Sequence, residues 1–186
     1  MAITGQALTL EEFLELPDEK PALEYVAGAV RQKVSPEILH SLLQKILCQW
    51  IDAFALPRKL AISAPELRTT FAGASHVPDV SVCRWGRIPR DSEGWPRGPL
   101  QEPPLVAIEI ASPRQSRKQL REDCEWYVAN GVLLALLLDP ENRSILVYRP
   151  GTTPQRLQGA DVLDVGDVLP GFQRVVGELY AAVRLD

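Results

Sequence analysis

Leu105-Val-Ala-Ile-Glu-Ile110, Ser116-Arg-Lys-Gln-Leu-Arg-Glu-Asp-Cys-Glu-Trp-Tyr-Val-Ala-Asn-Gly131 and Val132-Leu-Leu-Ala-Leu-Leu-Leu138 follow one another closely, and their patterning decides the fold. The first and third are nearly continuous apolar runs, as expected of central strands covered on both faces. The middle segment has helical periodicity. Ser116 and Gln119 form a capping box, Leu120, Cys124, Tyr127 and Val128 make its apolar face, and Asn130-Gly131 stops it. Strand, helix, strand at this spacing predicts a parallel pair joined by a right-handed crossover. Asp139-Pro-Glu-Asn142 then turns the chain into Ser144–Arg149, an antiparallel partner.

Upstream, Leu60–Ser63, Glu66–Phe71 and Pro78–Cys83 read as strands, and the aperiodic Arg84–Pro104 as an exposed loop. Thr9 and Glu12 form a capping box for a short helix ending before Pro17. Leu23–Val34 reads as a hairpin with its turn near Ala27-Gly28. Ser35 as cap and Pro36 at the first helical position open a long helix. Its apolar pairs run from Ile38/Leu39 to Phe54/Ala55 and stop at Pro57. A short apolar helix is expected near Val176–Val183. The expectation is an α/β fold: one domain over residues 1–186. Its mixed sheet is centred on 105–110 and 132–138 and flanked by helices 36–55 and 117–129, with a helix and hairpin at the N-terminus.

The composition, 46% hydrophobic and 24% charged over 186 residues, excludes a disordered or collagen-like chain. No apolar run reaches the ~20 residues of a membrane span, and Met1-Ala-Ile-Thr-Gly lacks the basic and apolar blocks of a signal peptide, so a cytoplasmic location is expected. Cys48, Cys83 and Cys124 have neither zinc-ligand nor disulfide-framework spacing. The net charge of −4 argues against a surface coated for nonspecific nucleic-acid binding. Bases nevertheless gather between Arg84 and Arg121, eight against four acids.

Some residues resist a structural explanation. Glu109 interrupts a core strand, where an unpaired carboxylate costs several kcal/mol or takes up a proton. Asp79, in Val77-Pro-Asp-Val-Ser-Val82, lies on the face opposite Val80 and Val82. Two carboxylates on neighbouring strands are what Mg²⁺ requires, together with waters and substrate phosphate. Arg114, Arg117 and Lys118 gather at the positive end of helix 117–129, a place for phosphate oxygens. Two histidines, His40 and His76, make a His-based zinc site improbable. No Gly-rich phosphate loop and no G-x-S-x-G elbow is present.

Pro78-Asp79, Glu109-Ile-Ala-Ser-Pro113, Tyr127-Val-Ala-Asn-Gly131 and Asp139-Pro-Glu, in this order, resemble the Uma family of endonucleases, long catalogued as a domain of unknown function. That family is assigned to the restriction-endonuclease-like superfamily with the PD-(D/E)XK motif. Leu10-Glu-Glu-Phe13, Glu24 before Gly28, Ser35-Pro36 with His40, Val147-Tyr148-Arg149 and Leu169-Pro-Gly-Phe172 extend the resemblance over nearly the whole chain. It implies that Asp79 and Glu109 hold Mg²⁺ or Mn²⁺ with the main-chain carbonyl of Ile110, and that Glu24 is an auxiliary acid. DNA is the implied substrate and a homodimer the implied assembly.

The sequence departs from the motif at its lysine. Ala111 stands two residues after Glu109, and relatives carry the lysine in the next helix, at the position matching Asp123. Lys118 is the nearest lysine, turned about 140° from Asp123 at ~100° per residue. Two readings follow: a divalent-metal-dependent endonuclease using Asp79, Glu109, Glu24 and Lys118, or a degenerate nuclease fold that binds nucleic acid or a protein partner.

Overall fold

A computed structural model describes residues 8–185; the leader reading at Met1–Gly5 lies outside them. The core is a six-stranded sheet. It comprises β3 (Ala61–Pro65), β6 (Val80–Arg84), β7 (Val106–Ile110), β8 (Leu134–Asp139), β9 (Ser144–Tyr148) and β10 (Gln155–Gln158), in the order β10-β9-β8-β7-β6-β3. β7 and β8 are parallel, with Val106 opposite Leu134 and Ile110 opposite Leu138, and every other pairing in this sheet is antiparallel. The two apolar runs are thus its central strands, buried along almost their whole length.

Each face carries one long helix. α2 (Ile38–Ala55) lays Leu43, Leu47 and Ile51 against Val80, Val82, Ile108, Leu134 and Leu136. α3 (Arg117–Ala129) lays Leu120, Cys124 and Tyr127 on the other face, against Ala107, Ala135 and Leu137. The period-2 alternation of β7 sends Ile108 to α2 and Ala107 to α3, so the small residue sits where the Tyr127 ring needs room. Truncating a side chain as buried as Ile108 to alanine would cost about 2–5 kcal/mol.

A second sheet, in the order β2-β1-β5-β4, contains β1 (Leu23–Val26), β2 (Ala29–Gln32), β4 (Thr69–Phe71) and β5 (Ala74–His76). Ala27 and Gly28, both at positive φ, make the tight turn between β1 and β2. α1 (Leu10–Leu14) has the complete Thr9/Glu12 capping box and buries Phe13 against Tyr25. At the far end β11 (Val162–Asp164) and β12 (Gln173–Val175) form a ribbon, followed by α4 (Val176–Ala181). Cys48, Cys83 and Cys124 are free thiols.

Three local expectations are corrected. Ser35 does not cap α2: the cap position is Glu37, with no side-chain capping bond. The reason is that the Lys33 amide still pairs with the Ala22 carbonyl (2.9 Å), which prolongs the hairpin and delays the helix. The strand expected at Glu66–Phe71 shrinks to β4 because Glu66 adopts φ +51°, outside any strand. The Ser116 box is half formed: Ser116 accepts the Gln119 amide, but the Gln119 side chain turns to Asp123.

Candidate active site

The start of β6 and the end of β7 carry the two unexplained carboxylates. β6 begins at Val80, which pairs with Ile108, so Asp79, just before it, lies beside the end of β7, and the buried Lys33 ammonium interacts with both acids. Both are buried, at 1% and 4% exposure. Each finds a separate set of partners. Asp79 Oδ2 accepts the Ile110 amide (2.7 Å), and Glu109 Oε1 accepts the Tyr127 hydroxyl (2.7 Å).

The cation of the site comes from the hairpin. Lys33, just past β2, is almost wholly buried and donates from Nζ to Asp79 Oδ1 (2.5 Å) and to the Val77 carbonyl (2.6 Å). An ammonium has three donors; beyond these two contacts only Glu66, at 3.9 Å, stands near the third. Two residues earlier, Arg31 donates to Glu24 Oε2 (2.9 Å) and to Asp123 Oδ2 (2.8 Å). Glu24 and Arg31 are direct partners across the β1–β2 ladder. The other oxygen of Glu24 accepts the Val77 amide (2.8 Å), fixing the backbone two residues before Asp79.

These contacts pull the two central carboxyls apart in acidity. Burial alone would raise Asp79, but Lys33 and His40 outweigh it and hold the group below the ordinary carboxylate range. Burial pushes Glu109 well above that range, and the Asp79 and Glu24 charges reinforce it against the opposing pull of Lys33. Asp79 is therefore the more acidic member of the pair and Glu109 the one that holds its proton more tightly. A pair with acidities separated in this way is characteristic of acid–base and metal-binding sites.

A cleft opens beside the pair, between the hairpin and the start of α3, walled by Arg31, Lys33, Glu109, Arg114, Gln119 and Asp123. Of the residues expected at the site, Glu109, Glu24 and Asp123 line this cleft, Asp79 joins it through Lys33, Ile110 holds Asp79 through its amide, and Arg114 stands at the rim. Lys118 is not among them: its side chain is 86% exposed and pairs with Glu122 on the helix surface. Arg117 is likewise directed away, to Asp139 (3.1 Å) and Glu141 (3.3 Å) at the β8–β9 turn. Asp123 enters the cleft as the partner of Arg31. Burial raises its pKa and Arg31 opposes that rise.

Sequence reasoning missed Arg31, Lys33 and Tyr127. The first two had a signal. A turn at Ala27-Gly28 puts position 31 opposite Glu24, and positions 31 and 33 on one face of the strand. Tyr127 had none, because its burial against Glu109 depends on how α3 packs.

The matching family model, described as "Putative restriction endonuclease" and called Uma2, covers residues 10–182. Among solved structures, the chain is similar to a putative nuclease of DUF820 from Anabaena variabilis. The two share 32% identity and a TM-score of 0.90, over 94% of this chain and 98% of that one. No curated protein matches. Among the described residues, no helix is long and apolar enough to cross a membrane. The fold, the ordered motifs and the family match over almost the entire length agree: the chain belongs to the Uma2 family of restriction-endonuclease-like proteins.

Proposed function

We propose that this protein hydrolyses DNA phosphodiester bonds with the help of a divalent cation, Mg²⁺ or Mn²⁺. The observation that carries the reading is the buried Lys33 ammonium, which lines the cleft together with Glu109 and interacts with both Glu109 and Asp79. The donor set fits such an ion. Two carboxylates and the Ile110 carbonyl are all hard oxygen ligands, and a cation would compete with the proton that burial favours on Glu109. Bound there, a divalent cation would act as a Lewis acid toward the phosphate.

The remaining work falls to side chains of this chain. Lys33 takes the part that the sequence assigned to Lys118. Its ammonium, kept charged by Asp79 and other acids, directs a donor to a nonbridging phosphate oxygen as negative charge builds there. Arg114 at the rim meets the flanking phosphate. Glu24 and Arg31 are positioning residues, locking the hairpin to Val77 and to Asp123 so that Lys33 stays in register with Asp79. A homodimer would bring two such clefts to the two strands of a duplex, and sedimentation at micromolar concentration reads that assembly.

One observation favours binding without cleavage: both oxygens of Asp79 and both of Glu24 already have partners. Plasmid incubation with Mg²⁺ or Mn²⁺ separates the readings. Nicking or linearisation by the wild type, lost in Asp79→Asn and in Lys33→Met, is expected. DNA retention without cleavage by the wild type would establish the binding reading instead.

A further inference from the structure

We propose a second cation site at His40, Glu66 and Asp79, one that takes a first-row transition-metal dication such as Mn²⁺, Co²⁺ or Zn²⁺ in preference to Mg²⁺. Each of the three residues offers a ligand atom, and these atoms lie within 4.8 Å of one another. The observation pointing to a ligand is His40. The residue is 5% exposed, and its Nε2 has no hydrogen-bond partner although it lies only 3.5 Å from Asp79 Oδ2. A buried ring nitrogen left unsatisfied costs on the order of 1–3 kcal/mol unless something else occupies its lone pair.

The surroundings orient that nitrogen as a ligand. Its other ring nitrogen, Nδ1, is 3.1 Å from Ser112 Oγ. In the tautomer whose Nδ1–H donates to Ser112, Nε2 would present its lone pair to a cation seated between it and Asp79, in place of the attraction that His40 otherwise exerts on that carboxylate. Gln44, one turn later on α2, steadies the opposite wall. Its amide donates to the Asp79 carbonyl (2.6 Å) and reaches Glu66 Oε1 (3.5 Å). The Glu66 amide also donates to the Asp79 carbonyl (3.2 Å), so the backbones carrying the two acids are tied together.

Asp79 divides its oxygens between the two sides. Oδ1 belongs to Lys33 and the cleft; Oδ2 accepts the Ile110 amide with one lone pair and turns the other side toward His40. Glu66, half-exposed and held only loosely by the Lys33 ammonium (3.9 Å), supplies the movable third ligand. Metal–ligand distances near 2.1 Å require the three atoms to draw in by about 1 Å, within reach of one glutamate rotamer change. Imidazole with two carboxylates suits first-row transition metals, whereas Mg²⁺ keeps to oxygen ligands. The binding claim stands apart from the nuclease reading, which matters only for what the ion then does.

Co²⁺ titration followed by its visible absorption tests this on the full chain. Wild type should develop ligand-field bands at one equivalent and resist displacement by excess Mg²⁺. His40→Ala and Glu66→Gln should each weaken Co²⁺ at least ~10-fold, while Glu109→Gln retains the bands. Should His40→Ala fail to fold, the half-exposed Glu66 still gives a soluble test variant. The proposal is overturned if no Co²⁺ binds, if Mg²⁺ displaces it freely, or if Glu109→Gln removes the bands while Glu66→Gln does not. Failure of the nuclease reading looks different: Co²⁺ binds as described and DNA stays intact.

Discussion

The Lys33 ammonium lies 2.5 Å from Asp79 Oδ1, joining the end of the N-terminal hairpin to the entrance of β6 across 46 positions of sequence. Both groups are buried, so neither can be removed without exposing the other's cost. Lys33→Met should therefore destabilise the protein by about 3–5 kcal/mol, as expected when one partner of a buried pair is lost. Chemical denaturation reads this directly. The double variant Lys33→Met/Asp79→Asn should recover much of the loss, and cleavage by Lys33→Met should fall by roughly 10²-fold or more. Equal stability of Lys33→Met and wild type would rule the pairing out.

Asp123→Lys places a second cation against Arg31, whose guanidinium now bonds Asp123 at 2.8 Å. The Arg31 side chain is partly exposed, so the expected loss is modest, about 1–3 kcal/mol. Thermal unfolding should register it as a lower midpoint, with no gain in cleavage. A rise in activity would mean that the relatives' lysine position still serves this cleft.

Glu109 titrates in the opposite sense from Asp79. Its folded-state pKa lies well above the ordinary value, so over the window upward from pH ~4.5 the unfolded chain has already lost this proton while the folded protein retains it. Stability is lost as pH rises through that window. Glu109→Gln, which can still accept from Tyr127, should flatten this decline and be at least as stable as wild type at pH 8. Metal binding to wild type should release a proton and strengthen with pH. Calorimetry in buffers of different ionisation enthalpy measures the proton count.

His76 sets the acid side. Burial pushes its imidazole down to about 4, with Glu24 pulling the other way, and neither ring nitrogen has a hydrogen-bond partner. The folded value is depressed, so the unfolded chain takes the proton first and stability falls as pH drops from 6.5 toward about 4. The full effect is about 3 kcal/mol. His76→Phe, which preserves the ring packing on Trp126 and Tyr127, should flatten that limb in urea titrations run across the window. An unchanged slope would place the acid sensitivity elsewhere.

The βαβ unit was legible because its signals are local: continuous apolar runs, a serine cap and an Asn-Gly stop act within a few residues of one another. The hairpin turn, the long amphipathic helix and the two anomalous carboxylates were legible for the same reason. A buried acid is costly wherever the chain places it. β5 was not, since three residues of Ala-Ser-His become a strand only when β1 and β4 supply partners on either side. The aperiodic stretch after β6 likewise reveals little of its fold beyond a single 3-10 turn at Trp85–Arg87 and the bridges at Arg90 and Leu100.

The sequence by itself determined the sheet's central strands, the helices that cover them, and Asp79 and Glu109 as the acids at their ends. Only the tertiary structure decided which cation joins them. Lys118 and Lys33 are equally good lysines in one dimension. Helix α3 turns the first to solvent, while pairing of the Lys33 amide with the Ala22 carbonyl carries the second into the cleft. A charge is worth most where water is excluded, and exclusion of water is a property of packing between distant segments.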